Sequence, residues 1–147
     1  MTTDQHHEDF TIRTARDEQD HVAVHDFLSN HSYWARGISI ETVNKSMDHS
    51  LNFGVFHQDK QIGYARVISD QATIAYLGDV YILPEYRGRG LSSWLMDRVM
   101  SFPQLQGLRR WVLLTSDAHG LYEKHGWKRV PKPELYMEVH NPNVYKK

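Results

Sequence analysis

Several features are missing from this sequence, and each absence excludes a class of protein. The 147 residues include no cysteine, so the chain has no disulfide framework, no thiolate metal site and no cysteine nucleophile. No apolar run approaches the roughly 20 residues of a membrane-spanning helix. The polar N-terminus also lacks the apolar core of a signal peptide. We therefore expect a cytoplasmic protein that has no membrane partner.

An excess of charge of one sign is also missing. The chain has 17 basic and 18 acidic residues, a net charge of −1, so no bulk field favours nucleic acid and we expect no nucleic-acid partner. The 40% of hydrophobic residues suits a soluble globular protein with a core of its own. We assign residues 1–147 to a single domain and expect residues 1–9 to be flexible.

The spacing of apolar residues predicts strands and helices in an α/β (α+β) layered fold. Helices are predicted over 18–30, with Val22, Phe27 and Leu28 inward, over about 90–102, and in two segments that Ser39 and Ser116 or Asp117 can cap. Strands are predicted over 10–13, 51–57, 61–69, 73–83, 110–115 and 135–139. Gly78, inside an apolar strand, suggests a bulge or a place where a ligand lies against the backbone.

The most informative segment is Arg87-Gly88-Arg89-Gly90, between a strand and a helix. Glycines let the backbone approach a ligand closely, and the start of the helix presents unpaired N–H groups and a positive dipole end. The segment predicts a phosphate cradle, unless the glycines serve only a tight turn. It is not a dinucleotide fingerprint, because Ser93 stands where the third glycine belongs, and it lacks the Gly-Lys-Ser/Thr of a P-loop.

Two motifs together resemble the GNAT superfamily of N-acetyltransferases. Arg87-Gly-Arg-Gly90-Leu-Ser92 is similar to its acyl-CoA motif, Arg/Gln-x-x-Gly-x-Gly/Ala, with Ser92 in place of the last small apolar residue. Downstream, Thr115-x-x-Ala118-x-x-Leu121-Tyr122-x-x-x-Gly126-Trp127 resembles Asn-x-x-Ala-x-x-Leu-Tyr-x-x-x-Gly-Phe, with Thr115 in place of the asparagine. The resemblance implies a mixed, mostly antiparallel central sheet of about six to seven strands, flanked by about four helices.

The resemblance also implies a site for acetyl-CoA or coenzyme A as co-substrate. The pyrophosphate would lie on main-chain N–H groups at the start of the helix, and the pantetheine would pair with the preceding strand as an added strand. The implied cofactor-binding residues are Val80, Tyr81, Ile82, Arg87, Gly88, Arg89, Gly90, Leu91, Ser92, Ser93, Thr115 and Tyr122. The two arginines would meet phosphates or remain solvated at the surface.

For catalysis the resemblance implies Tyr122 as the acid that protonates the departing thiolate, a role that suits a phenol with an ordinary pKa of about 10. Packing of the short helix onto the sheet is the alternative. Asp79 is the candidate base; it could instead bind the substrate ammonium or pair with Arg66. Tyr33 and Trp34 are expected to line the acceptor pocket or to pack against the protein.

The function implied is transfer of the acetyl group of acetyl-CoA to a primary amine, by direct attack in a ternary complex. A small-molecule amine is the expected acceptor, and a homodimer is common among such relatives. The alternatives are a non-catalytic acyl-CoA-binding or regulatory domain and transfer of a longer acyl group. The ten histidines show no third ligand at a diagnostic interval beside His21 and His25, so no metal site is expected.

Overall fold

The computed structural model describes residues 6–7 and 9–146, with side chains described from residue 9. Six strands form one sheet whose spatial order is their order in the chain. They are β1 (His6–His7), β2 (Phe10–Arg13), β3 (Leu51–His57), β4 (Lys60–Ser69), β5 (Ile74–Ile82) and β6 (Arg110–Leu113). Neighbouring strands are antiparallel, except that β5 and β6 are parallel.

Four helices flank the sheet, two on each face. They are α1 (His21–His31), α2 (Ile40–Asp48), α3 (Leu91–Met100) and α4 (His119–Glu123). Buried residues of α1 and α2 pack in one cluster and those of α3 and α4 in another, with β-strand side chains in both. The predicted mixed, mostly antiparallel sheet flanked by about four helices is confirmed, and its six described strands lie at the lower end of the predicted six to seven. No helix within the two described ranges combines the length and apolar character needed to cross a membrane.

The first helix differs from its prediction at its start. Residues Arg16–Glu18 form a separate 3-10 turn, and α1 begins only after Asp20, whose carboxylate accepts a hydrogen bond from the Ala23 N–H at 3.1 Å. Phe27 and Leu28 are buried as predicted, and the inward face runs from them to the residue three and four positions earlier. Val22, predicted to face inward, is 59% exposed, and Val24 is buried instead.

Both ends of the chain also depart from the sequence-based description. The strand predicted over 135–139 is wrong: Pro133–Leu135 form a 3-10 turn, and the following residues pair with no strand of the described chain. Alternating apolar residues favour a strand but cannot supply its partner. At the other end, β1 pairs with β2. The predicted flexibility of 1–9 stays a prediction, and residues 1–5 and 8 lie outside the described part.

Candidate active site

The candidate site is an opening between β5 and β6. The two strands pair from Ile74 opposite Arg110 to Leu77 opposite Leu113, and the pairing ends there. Strand β5 continues to Ile82 and is paired with β4 on its other side. Beyond Leu77, its backbone groups on the β6 side therefore meet no strand of the described chain. A free strand edge of this kind can accept an extended ligand as an added strand.

Alternation along the strand identifies the backbone groups that face the opening. The Leu83 N–H bonds to the Ile62 carbonyl, on the β4 side, at 2.8 Å. Because successive residues direct their N–H and C=O groups to opposite edges, Ile82 and Val80 direct theirs into the opening. Tyr81, the third predicted residue of this stretch, directs its backbone groups towards β4.

The side chain of Tyr81 belongs to the core. It is buried, and its ring stacks on Phe27 with centroids 3.9 Å apart. Burial raises the pKa of its phenol well above the ordinary value, so the hydroxyl stays protonated at neutral pH. Tyr81 therefore fixes the strand against α1, and only its main chain lies near the opening.

A β-bulge lies at the inner end of the opening. Arg66 pairs with Gly78, and Tyr64 pairs with Tyr81, so two residues of β5 face one of β4. Of the two readings of Gly78, the bulge is present, and it comprises Asp79 and Val80, directly after Gly78. Asp79, in the bulge, has φ +53°, a left-handed conformation that costs a non-glycine residue about 1–2 kcal/mol. The surrounding contacts must offset that cost.

The carboxylate of Asp79 is held on both sides. Its Oδ2 accepts a hydrogen bond from Arg66 Nε and its Oδ1 from Trp34 Nε1, both at 2.8 Å. The side chains of Arg66 and Asp79 are only 19% and 11% exposed, so water screens this ion pair weakly. Of the three interpretations of Asp79, the pair with Arg66 is the contact that the structure contains.

The predicted cradle lies where the opening meets α3. Gly88 and Gly90 have φ of +81° and +76°, conformations that glycine adopts without a steric penalty. Gly90 is the N-cap of α3, and no described side chain caps this helix end. The first backbone hydrogen bond of the helix runs from the Trp94 N–H to the Gly90 carbonyl. The N–H groups of Leu91, Ser92 and Ser93 are thus the ones an anion could accept from.

The side chains around the cradle have contacts of their own. Arg87 Nε donates to the Ile82 carbonyl at 2.8 Å, which braces the end of β5. The guanidinium of Arg89 lies over the rings of Phe10 and Tyr86, 5.9 and 5.6 Å from their centroids. Both arginines are exposed at the rim of the cradle, so the surface that an anion could reach consists of main-chain N–H groups with arginines beside them.

Tyr122 lies on α4, on the β6 side of the opening. It is 8% exposed and packs against Trp127, with ring centroids 5.9 Å apart. Burial, with smaller contributions from Tyr33 and Asp117, raises the pKa of Tyr122 to about 12. The phenol therefore keeps its proton across the pH range of ordinary assays and can serve as a hydrogen donor.

The remaining predicted residues lie around this tyrosine. The Thr115 hydroxyl accepts hydrogen bonds from the N–H groups of Asp117 and Ala118, at 3.4 and 3.1 Å, and so stabilises the start of α4. The Tyr33 hydroxyl accepts one from Ser116 Oγ at 2.9 Å. The loop between α1 and α2, with Tyr33 and Trp34, therefore reaches across the sheet to both sides of the opening.

Sequence reasoning missed His125. Its Nε2 lies 3.0 Å from Ser93 Oγ, and its Nδ1 lies 3.1 Å from a carboxylate oxygen of Asp97. Ser93, predicted to bind the cofactor, thus uses its hydroxyl to hold the loop after α4. Ser93 and His125 are 32 positions apart, so no local pattern predicts this contact. Only the second motif, which spans His125, pointed to the region.

The groups present fit an acyl-CoA-type ligand. A methyl group added to Gly88 or Gly90 would meet no protein atom within 4 Å, so open space lies in front of the cradle. A diphosphate suits the uncapped helix end, and an extended amide chain suits the backbone groups of Val80 and the N–H of Ile82, whose carbonyl already accepts from Arg87. For a metal, His25 bonds to the Ile38 carbonyl, and no cluster of three or more histidine and carboxylate residues in the described chain is placed to hold an ion.

Comparison with known proteins gives matches over most of the chain. Residues 48–129 match the family model described as an acetyltransferase (GNAT) domain. A GNAT-family protein from Xanthomonas campestris pv. campestris, known as a crystal structure, is 48% identical, with a TM-score of 0.91, covering 94% of this chain and 97% of that chain. A protein from Deinococcus radiodurans R1 has a TM-score of 0.75 at 22% identity, covering 96% and 95%, and so supports the fold alone.

Two curated proteins are similar over a shorter length. A ycf52-like N-acetyltransferase of Prochlorococcus marinus is 35% identical over 105 residues, 67% of this chain and 58% of that protein. A Gibberella zeae protein that is named among the acetyltransferases is 31% identical over 114 residues, 63% of each. The match with this chain thus spans about three fifths of the length of these relatives.

Proposed function

Because this chain belongs to the GNAT family of acetyltransferases, we propose that it transfers the acetyl group of acetyl-CoA to a primary amine. In this proposal the amine attacks directly within a ternary complex, since the chain has no cysteine to carry the acyl group. The observation that carries the proposal is the uncapped start of α3, which follows two glycines with positive φ. It lies where the opening between β5 and β6 meets the helix, and the protonated Tyr122 lies on the β6 side of that opening.

Coenzyme A would be bound mainly by the main chain. The N–H groups of Leu91, Ser92 and Ser93, with the dipole of α3, would hold the diphosphate. The pantetheine would lie along the backbone groups of Val80 and the N–H of Ile82. Arg87 and Arg89, exposed at the rim, would add positive charge near the phosphates. Because most of these donors are backbone groups, we expect affinity to depend on loop conformation more than on any one side chain.

Bound acetyl-CoA would supply a thioester carbonyl as the electrophile. Backbone N–H groups at the bulged end of β5 would polarise that carbonyl, as an oxyanion site does. The amine, neutral after losing its ammonium proton to water, would form the new C–N bond as the C–S bond breaks. Tyr122 would give its proton to the leaving sulfur, and the proton released by the nitrogen would return to the phenolate through water. Burial beside Trp127 keeps the phenol fixed on α4. General acid catalysis by a positioned group contributes typically about 10²–10⁴-fold to a rate.

The acceptor amine would enter beneath the loop that carries Tyr33 and Trp34. Both aromatic side chains are partly exposed there, and Asp79 holds Trp34 through its indole N–H. We propose that Asp79 acts in this position as a fixed negative charge that orients the loop and attracts an ammonium group. Acting as a base would require it to release a hydrogen bond to Arg66 or Trp34.

Replacing Tyr122 with phenylalanine tests the proposal. We expect the rate of thiol release from acetyl-CoA, with an amine found by screening, to fall about 10²–10⁴-fold if the phenol is the acid, with coenzyme A affinity nearly unchanged. Tyr145→Phe, on the α1–α2 side of the sheet, is the matched control and should keep full activity. An unchanged rate in Tyr122→Phe would refute the acid role.

The same screen separates the alternatives. A non-catalytic acyl-CoA-binding domain would bind coenzyme A in calorimetry but give no turnover with any amine. A preference for propionyl- or succinyl-CoA over acetyl-CoA would show that the transferred group is longer. Failure of folded protein to bind coenzyme A would overturn the cradle itself.

A further inference from the structure

On the α1–α2 side of the sheet, three strands carry apolar side chains that lie outside the core. Tyr64 and Tyr81 are paired on this side and pack in the α1–α2 cluster. Farther along the same strands Ile68 pairs with Tyr76, and Tyr76 pairs with Val112 of β6. Paired residues share a face, and alternate residues of a strand return to that face. Ile68, Tyr76 and Val112 therefore form one row across three strands, which we call the apolar row.

The apolar row is open to solvent. Ile68 is 47% exposed, and Tyr76 and Val112 are half-buried. Neither of the two core clusters in the described chain includes any of the three. Ile74, two residues before Tyr76 and so on the same face, is 44% exposed. Apolar side chains that are exposed next to one another, rather than singly, mark a surface for binding.

The apolar row is continuous with the candidate active site. Arg66 pairs with Gly78 two positions along the strands, about 7 Å from the row. The Tyr76 ring reaches towards Gly78, because a Cβ on that glycine would lie 3.5 Å from a ring carbon. Burial and, to a smaller extent, the Asp79 charge raise the pKa of the Tyr76 phenol, while Arg66 acts in the opposite direction. The row thus begins beside the carboxylate that holds Trp34.

The charged groups near the row already have partners or lie at its far end. The Arg66 guanidinium donates to Asp79 and, at 3.1 Å, to Ser50 Oγ. At the far end, Asp70 accepts hydrogen bonds from N–H groups of its own turn, and the exposed cation Arg110 is paired opposite Ile74. A hydrocarbon on the row would leave water at no electrostatic cost, whereas an ammonium there would lose hydration without gaining a partner.

We propose that the acceptor is a primary monoamine whose body is a hydrocarbon or aromatic group lying on the apolar row. Its amino group meets the thioester beside Asp79 and Trp34, and its body covers Ile68, Tyr76 and Val112. Diamines and polyamines are poor acceptors, because their second ammonium would lie on carbon. This inference rests on the proposed function, since it makes the row the specificity surface of the acceptor site.

Two amines of equal length test the proposal. Pentylamine and 1,4-diaminobutane differ only in whether the far end is a methyl or an ammonium group. From thiol release at saturating acetyl-CoA, we expect kcat/KM to be at least about tenfold higher for pentylamine, and 2-phenylethylamine should behave like pentylamine. An equal or higher value for 1,4-diaminobutane overturns the proposal.

Binding without turnover separates this inference from the proposed function. If no amine gave thiol release, the proposed acetyl transfer would be wrong. Calorimetry on the protein saturated with coenzyme A would still test the row, because pentylamine should bind more tightly than 1,4-diaminobutane. Absence of pentylamine binding, or tighter binding of the diamine, would contradict the assignment of the row.

A change of preference identifies the surface. Ile68→Glu places a carboxylate in the row, so we expect a higher KM for pentylamine, a lower KM for 1,4-diaminobutane and an unchanged KM for acetyl-CoA. Val22→Glu, which adds the same charge at a position 59% exposed on α1, is the matched control and should keep the wild-type preference. Misfolding cannot produce a gain with the diamine, and an unaltered preference in Ile68→Glu refutes the assignment. Should that variant fail to fold, Ile68→Ser must still raise the KM for pentylamine alone.

Discussion

Replacing Asp79 with asparagine would show what its carboxylate does. The asparagine amide oxygen can still accept the hydrogen bond from Trp34 Nε1, but its NH2 group would then face Arg66 Nε. Two donors cannot bond to each other, so the substitution breaks the ion pair and leaves the neighbouring hydrogen bond in place. The variant therefore separates the charge of Asp79 from its hold on the loop.

The size of the effect follows from burial. The two side chains are 19% and 11% exposed, so removing one charge leaves the guanidinium poorly solvated and without its partner. We expect the free energy of unfolding to fall by about 2–4 kcal/mol, somewhat less than for a fully buried pair. The turnover rate should fall less than about tenfold, because loss of a catalytic base would cost about 10²–10⁴-fold.

Urea denaturation and initial rates of thiol release measure the two effects on the same preparation. Trp34→Phe is the comparison variant: it removes the hydrogen bond to Asp79 Oδ1 and one ring of the indole but keeps the ion pair. Loss of the hydrogen bond should lower the free energy of unfolding by about 1 kcal/mol. If Asp79→Asn instead lost more than a hundredfold in rate at unchanged stability, Asp79 would be the base, and our interpretation of the carboxylate as a positioning group would be wrong.

Two further predictions concern the cradle and the buried phenol. Gly90→Ala should weaken coenzyme A binding in calorimetry at least about tenfold, because the added methyl group enters the ligand space at φ +76°. Gly107→Ala, at φ +77° with equally open surroundings, is the control: it should lower the free energy of unfolding by a similar amount, about 1 kcal/mol, and leave binding intact. Equal binding by both variants would contradict the assigned cradle. The pKa of Tyr122 is about 12 in the folded protein and 10.0 for the free side chain, so folding favours the protonated phenol. The resulting stabilisation of the fold is complete below pH 10 and is lost as the pH rises to 12. Over that interval the free energy of unfolding falls by about 1.4 kcal/mol per pH unit. Urea titrations from pH 8 to 11 should show a shallower decline for Tyr122→Phe, and parallel curves would refute the buried state of the phenol.

The sequence predicted those parts of the fold that local pattern determines. Apolar spacing located β5 and α3, and Gly78 marked the bulge. Contacts between distant residues had no such signal. Trp34 and Asp79 are 45 residues apart, so their hydrogen bond depends on how α1 packs on the sheet. Residues 135–139 illustrate the same point. Their alternating pattern predicts a strand, but a strand needs a neighbour, and the sequence does not show that these residues pair with no strand of the described chain.

The candidate site residues show the same difference between features set by the local backbone and contacts set by folding. The glycines of the loop could be predicted because positive φ is a property of the backbone at one position. The side-chain contacts of Arg87 and Ser93 could not, because each depends on a group brought near by folding. Main-chain sites are therefore easier to identify from a motif than the side chains that surround them.

The contact of His125 with Ser93 and Asp97 has a mechanical consequence. It joins the first two turns of α3 to the chain just after α4. The helix start that would hold the diphosphate and the helix that carries Tyr122 are therefore braced against each other by side chains rather than by the backbone of the sheet.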